Sequence, residues 1–325
     1  MINLNICCGL GNQMFQYAYA RAISEEFNDP DIIVNSYFRL YFKMYSRIIN
    51  GSPEDAVNML DFFVLNDNVR EISEAKGRVK GFFQFIPCTL TRLGIYNPKI
   101  TAEKYKKLTS KGKFKVFEQE YTYYEHSHKC NSKNKSVLGW FQSEKYFQKI
   151  RPILLKEFQF KSPLSNKNQE MINELSSCNS VCVHVRRGDL TNPHYSWYST
   201  CNEDYYKEGM KYIAERIENP VFYIFTNNHD DVEWIKHNYD FEFPVKYVDL
   251  GNSGYDDMRL MYSCKHFVIS KSTFSWWGSY MSQNPDKIVV APEIAMEKCW
   301  VKDKNNQDFY REDMVKIHAV KENKK

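Results

Sequence analysis

No stretch of this 325-residue chain approaches the roughly 18 consecutive apolar residues that a membrane-spanning helix needs. Its opening residues, Met1 to Ile6, lack the basic and apolar regions of a secretion signal, so a cytoplasmic protein is expected. No Cys-x-x-Cys pair supports a zinc site. The nine cysteines are odd in number and irregularly spaced, which suits free thiols better than a disulfide framework. Strong charge is missing too. A net charge of +4 without a basic stripe argues against a nucleic-acid binder, yet leaves room for a small anionic ligand such as a nucleoside diphosphate. Internal repeats and low-complexity segments are also absent, and the one metal-type acidic triplet, Asp29-Pro30-Asp31, lies before a strand, where such a ligand is not expected.

What the chain does have is length and apolar content. Hydrophobic residues make up 43% and charged residues 26%, enough for a packed core. The length suits two domains sharing a cleft. Aromatics reach 16%, which fits either an aromatic-rich core or stacking against sugars.

The pattern opens as strand, glycine turn, helix, strand. Residues 4–8 read as a strand and Gly9 to Gln13 as a turn. A helix follows with apolar residues at four-residue spacing, then a strand at 31–35. Residues 36–135 carry weak periodicity and give no boundaries. Order returns at Gly139, with a helix expected from about Ser143 to Phe158, and Lys161 to Asn168 is the best linker. Beyond it, strands at 181–185, 221–225, 245–250, 266–270 and 288–290 alternate with helices near 203–218, 231–239, 256–264 and 272–282. Such alternation predicts a doubly wound parallel sheet, with the strand at 288–290 as its last.

In such sheets ligands sit beyond the carboxyl ends of strands, and three segments stand there. Gly9-Leu10-Gly11-Asn12-Gln13-Met14 begins like a dinucleotide fingerprint, but Met14 stands where a third small residue belongs, and no acid ends the second strand. It reads either as a plain turn or as backbone N–H groups offered at a helix start. His184-Val185-Arg186-Arg187-Gly188-Asp189 places two guanidinium groups directly after a buried strand. Their forks match phosphate oxygens, while Asp189 can orient one of them or build a purely structural network. Lys271-Ser272-Thr273 opens a helix, where the hydroxyls cap it and also suit phosphate. Asp256 or Asp257 can accept from a guanine edge, or cap its own helix; Trp276 and Trp277 suit the core.

Four segments carry a resemblance. Gly9 to Ala18, Gly139 to Phe147, His184 to Asp189 and Ser270 to Gly278 are similar, in order, to motifs of the bacterial α-1,2-fucosyltransferases, glycosyltransferase family 11. The resemblance implies a GT-B-like α/β fold, two Rossmann-like doubly wound domains facing a cleft. It divides the chain into an acceptor-side domain, 1–162, and a GDP-fucose-binding domain, 163–325. It implies inverting transfer of L-fucose from GDP-β-L-fucose to the 2-hydroxyl of a galactosyl glycan, without cofactor or metal. Arg186 and Arg187 would hold the pyrophosphate, with His184, Ser272 and Thr273 beside them, and Asp257 would read guanine. Gly11, Asn12 and Gln13 would face fucose and acceptor. Two positions depart from the family: Cys8 stands where it usually has Gly, and Lys271 where it usually has Asn. Lys271 can reach the pyrophosphate as a third cation, or turn to solvent or an acid.

Breaking the sugar–phosphate bond leaves anionic GDP, so cations aimed at that charge speed the step, and the acceptor hydroxyl needs a base. Asp189, His194 and Asp204 follow the arginine pair and are the candidates, Asp189 ranking last because its nearer duty is orienting an arginine. Residues 39–49 form a helix-like pattern with Arg39, Lys43 and Arg47 on one face. It reads as a solvated basic face or as a peripheral contact with an anionic membrane bearing a lipid-linked acceptor. Competing functions are a different nucleotide-sugar transferase or linkage and protein O-fucosylation. A dehydrogenase is disfavoured by Met14, and a carbohydrate-binding module would not need paired arginines.

Overall fold

The computed structural model describes residues 1–37, 58–92, 101–115, 123–130, 132–187, 200–294 and 308–319. The chain divides into two compact units, with a boundary between Lys161 and Ser162 and a second exchange between Phe309 and Tyr310. Asp308 and Phe309 group with the first unit although they follow most of the second in the chain. Asp308 accepts from Lys145 Nζ at 2.6 Å and from the Tyr123 amide at 2.8 Å, and Phe309 packs 6.2 Å from Phe15.

The first unit carries a five-stranded parallel sheet of β1 (Ile2–Asn5), β2 (Ile32–Asn35), β3 (Val69–Glu71), β4 (Lys113–Lys115) and β5 (Lys135–Leu138). Their order is β3-β2-β1-β5-β4, with Ile2 in register with Ile32 on one side and Lys135 on the other. Helix α1 (Leu10–Glu26) follows β1. It begins four residues earlier than the sequence suggests, so Leu10, Gly11, Asn12 and Gln13 are helical rather than part of a turn. Met14, Phe15, Tyr17, Ala18, Tyr19, Ala20 and Ile23 are all fully buried, which makes α1 a central helix with no wet face. Asp29, of the acidic triplet, binds Lys135 Nζ at 2.9 Å and the terminal amine, a structural use. The weakly patterned region contains α2 (Glu74–Arg92) and α3 (Ala102–Ser110). The single helix expected over 143–158 is instead two 3-10 turns followed by α4 (Arg151–Glu157), because Pro152 suits only the first turn of a helix.

The second unit is a six-stranded, wholly parallel sheet. Its strands are β6 (Asn179–His184), β7 (Pro220–Phe225), β8 (Val245–Tyr247), β9 (His266–Val268), β10 (Val289–Pro292) and β11 (Val315–Ile317), ordered β11-β10-β9-β6-β7-β8. The apolar run of β6 is buried on both faces, as a central parallel strand requires. The strand expected to be last is β10, and β11 extends the sheet beyond it. Helices α5 (Asn166–Ser177), α6 (Glu203–Ala214), α7 (His229–Asn238), α8 (Gly254–Ser263) and α9 (Thr273–Met281) alternate with the strands. Asparagine or serine side chains at 165, 202, 228 and 272 accept from amides of the first turns of α5, α6, α7 and α9. Trp276 and Trp277 are fully buried, as expected. Among the described residues, no helix is long and apolar enough to cross a membrane.

Candidate active site

In the second unit the chain runs outward from β6 to β7 and β8, then returns to β9 on the other side of β6. The gap beyond β6 and β9 is therefore the topological switch point, where a doubly wound sheet opens a crevice at its carboxyl edge. Two of the three predicted segments leave the sheet there. His184 ends β6, and its Nδ1 lies 2.7 Å from Ser270 Oγ. Arg186 reaches across, and its guanidinium donates to Ser272 Oγ at 3.3 Å. Ser272 at the same time caps α9, accepting from the Phe274 amide at 3.2 Å. The exposed amide end of α9 thus lies beside Arg186, and Thr273 is its first residue. Lys271 sits between these two serines and is 6% exposed, so it does not run to solvent.

Burial and the Arg186 charge push the His184 imidazole down to about 3. It is neutral at working pH and serves as a hydrogen-bonding spacer between β6 and β9, not as an additional cation.

The two arginines, expected to share one anion, make different contacts in the structure. Along extended backbone successive side chains point to opposite sides. Arg187 turns to α7, where its guanidinium lies 3.0 Å over the Trp234 ring and 4.0 Å from Asp231, and its amide donates to Asn227 at 3.3 Å. It is a buried anchor for the α7 side of the sheet.

Asp257 stands in the first turn of α8 and accepts from Asn252 at 3.0 Å, while Asn252 also binds Asn168 of α5. Burial raises its carboxyl to about 6, helped by Asp256 and Asp249 and opposed by Asn252. Asp256 is drawn instead to Arg259, 3.4 Å away. Asp204 lies exposed at the start of α6 and accepts from the capping Asn202 at 3.0 Å. Asp189, His194 and the segment 39–49 lie outside the described residues.

The first unit has its own switch point, beyond β1 and β5. Cys8 closes the strand-to-helix turn at φ +65°, a left-handed conformation that disfavours any side chain. This explains why the resembling family has glycine there. A Cβ on Gly9 would meet nothing within 4 Å, so the turn is open beside the start of α1. Gln13 is fully buried. Its amide nitrogen donates to Cys8 O at 2.8 Å and its oxygen accepts from the Met59 amide at 2.9 Å, so it pins the turn instead of facing a ligand. Asn12 stays partly exposed and accepts from Gln142, a residue that sequence reading passed over although it lies in the Gly139 to Phe147 motif.

Among the described residues, Glu26, His126 and His128 bring three potential metal donors within 4.8 Å of one another. They stand at the far end of α1, about 24 Å along the helix from the Gly9 turn at roughly 1.5 Å per residue. They cannot serve that turn.

Two parallel doubly wound units in one chain, one with cations and a helix start at its switch point, are the construction of a GT-B-type glycosyltransferase. The chain belongs to glycosyl transferase family 11, whose family model matches residues 1–318. It is 31% identical to an alpha-1,2-colitosyltransferase of Escherichia coli, over 89% of this chain and 90% of that protein. It is 28% identical to the O-antigen biosynthesis glycosyltransferase WbnK of Escherichia coli, over 87% and 91%. It is 29% identical to galactoside alpha-(1,2)-fucosyltransferase 1 of Saimiri boliviensis boliviensis, over 42% and 40%.

Proposed function

We propose that this glycosyltransferase moves L-fucose from GDP-β-L-fucose to the 2-hydroxyl of a galactosyl glycan with inversion, giving an α-1,2-fucoside. The second unit is the donor side and the first the acceptor side. The observation that carries the reading is the convergence of Arg186, Ser272 and the start of α9 at one switch point. A diphosphate is the ligand whose charge suits a guanidinium and a helix amino end together. Asp257, as a carboxylate, accepts from the guanine N–H groups. The acceptor oxygen attacks the anomeric carbon as the bond to the β-phosphate breaks. The electron pair leaves with GDP, where Arg186 meets the growing charge. The acceptor proton passes to a base. His184 is too weak a base for that task and is held by Ser270, which leaves Asp189, His194 and Asp204 as candidates. Cations of the chain do the work of a metal, so the reaction runs in a chelator.

A second donor is favoured by the colitosyltransferase relative. Colitose is fucose without its 3-hydroxyl. A site that hydrogen-bonds that hydroxyl rejects the deoxy sugar strongly, whereas an apolar wall there accepts it. The test pairs two measurements. Thermal shift should give stabilisation by GDP and none by NAD. Turnover of GDP-fucose and GDP-colitose on galactosides in EDTA, with the product linkage read by NMR, should give an α-1,2-fucoside. Faster transfer of colitose would reassign the donor, and metal-restored activity would reject the mechanism.

A further inference from the structure

Helix α2 is amphipathic in the wrong sense for a helix of a water-surrounded domain. Its inner line contains Gly77, which is buried, and a Cβ there would meet Tyr37 at 2.3 Å, Ile72 at 2.9 Å and Asn35 at 3.0 Å. The helix is thus pressed against the unit by a residue without a side chain. Val79, Phe82, Phe83, Ile86 and Leu90 follow at helical spacing, which puts them on the opposite line. They are 58%, 49%, 66%, 41% and 36% exposed, and they make up five of the seven exposed large apolar residues among the described residues.

Charge flanks this apolar face. Lys76, Arg78 and Lys80 are exposed; Arg78 pairs with Glu74 at 2.6 Å and Lys80 donates to Asn3 at 2.8 Å. Along the whole of α2 four basic residues stand against one acidic residue, Glu74. Gly77, Gly81 and Pro87 weaken the helix intrinsically, and an outward apolar face adds nothing to its stability in water. A surface that covers the face and supplies negative charge would stabilise both. A second copy of the chain would bring its own basic flank against this one, so like charges would meet.

We propose that α2 is a peripheral membrane-binding element whose outward face enters the headgroup boundary of an anionic bilayer while Lys76, Arg78 and Lys80 meet lipid phosphates. An aromatic and aliphatic face with basic flanks is the composition that lies in the plane of such an interface. Each basic residue near the surface strengthens binding about fivefold. The inference is independent of the donor and acceptor proposed above.

The experiment is sedimentation of the full chain with phosphatidylcholine vesicles, with and without phosphatidylglycerol, across a salt series. Binding is expected only with the anionic lipid and should weaken as salt rises. Phe82→Ser with Phe83→Ser should lower partitioning more than about tenfold, and Lys76→Glu by about fivefold or more. A conservative Phe83→Trp chain provides a second readout, since brominated anionic lipid should quench the added tryptophan. The proposal is overturned by absence of binding at low salt, by equal binding of wild type and the double variant, or by an unquenched Trp at 83. It is also overturned if light scattering finds a wild-type dimer that the double variant loses while vesicle binding is nil.

Discussion

The two switch points of this chain share one plan and differ in chemistry. Each lies beyond a central parallel strand, and each is bridged by side chains from the neighbouring strand's exit. In the first unit the bridge is neutral, Gln142 to Asn12, and the turn is held by buried amides. In the second the exits carry Arg186 and Lys271 beside the start of a helix. A carbohydrate hydroxyl needs neutral, directional partners, whereas a leaving diphosphate needs positive charge in place before the bond breaks. The same sheet edge therefore suits acceptor or donor according to a few residues after two strands.

The sharpest way to break this contrast is at Arg186. Arg186→Ala should cost about 2–4 kcal/mol of transition-state stabilisation, 10²- to 10³-fold in kcat/KM. Arg187→Ala should act differently. It removes a guanidinium stacked on Trp234, so about 2 kcal/mol of stability is lost in denaturant unfolding while GDP affinity in the folded protein changes less than tenfold. Equal loss of turnover in both, with unchanged stability, would restore the paired-arginine assignment.

Lys271→Asn restores the family residue. If the lysine meets pyrophosphate, the GDP dissociation constant rises more than about tenfold and its salt dependence flattens, since a charge-assisted hydrogen bond is worth about 1.5–3 kcal/mol. An unchanged constant across the salt series assigns Lys271 to the fold alone.

Asp257 sharpens the comparison through pH. Its carboxyl is raised to about 6, mainly by burial, and only an ionised carboxyl there could accept twice from a guanine edge, as proposed. GDP affinity should fall as pH drops through about 6, while UDP affinity stays flat over the same window. Asp257→Asn should abolish that difference. For folding the sign is opposite. A carboxyl raised in the folded state adds stability as it takes up its proton, between about 6 and the ordinary carboxylate value. A GDP titration series by calorimetry reads the first effect, and urea midpoints read the second.

At the neutral switch point the effects should be smaller. Asn12→Ala should raise the acceptor KM by about threefold to tenfold and leave GDP affinity alone. A change in GDP affinity instead would dissolve the division of labour. Cys8→Gly should stabilise the chain by about 1 kcal/mol, because glycine accepts φ +65° without strain. A lower unfolding midpoint would mean that the buried thiol's packing outweighs that strain.

The second unit was legible because buried parallel strands are continuous apolar runs, and β6 and β7 stand out on that basis. The first was legible only at its opening, through α1 and β2. Strands β3, β4 and β5 are three or four residues long, and β3 and β4 are rich in charge, as Val69–Glu71 and Lys113–Lys115 illustrate. Helix α2 hides because Gly77 faces inward while Phe82 and Phe83 face outward, which inverts the usual pattern. Motif reading named both Arg186 and Ser272, which the structure brings within 3.3 Å, but it gave no hint of the Arg187 contact with Trp234, since adjacency in sequence says nothing about side. Gln13 went to the fold because only tertiary structure supplies the Met59 amide it binds.

Trp276 and Trp277 have a consequence beyond packing. Both lie in α9, within about one turn of Ser272; Trp276 stacks on Tyr280, and Trp277 meets both rings edge-on, out of reach of solvent. The chain thereby carries its own optical reporter at the charged switch point. Indole emission responds to nearby charge, so arrival and departure of an anion at the start of α9 can be followed as a change in ultraviolet fluorescence, in real time and without a label. That turns a buried aromatic cluster into a clock for nucleotide exchange.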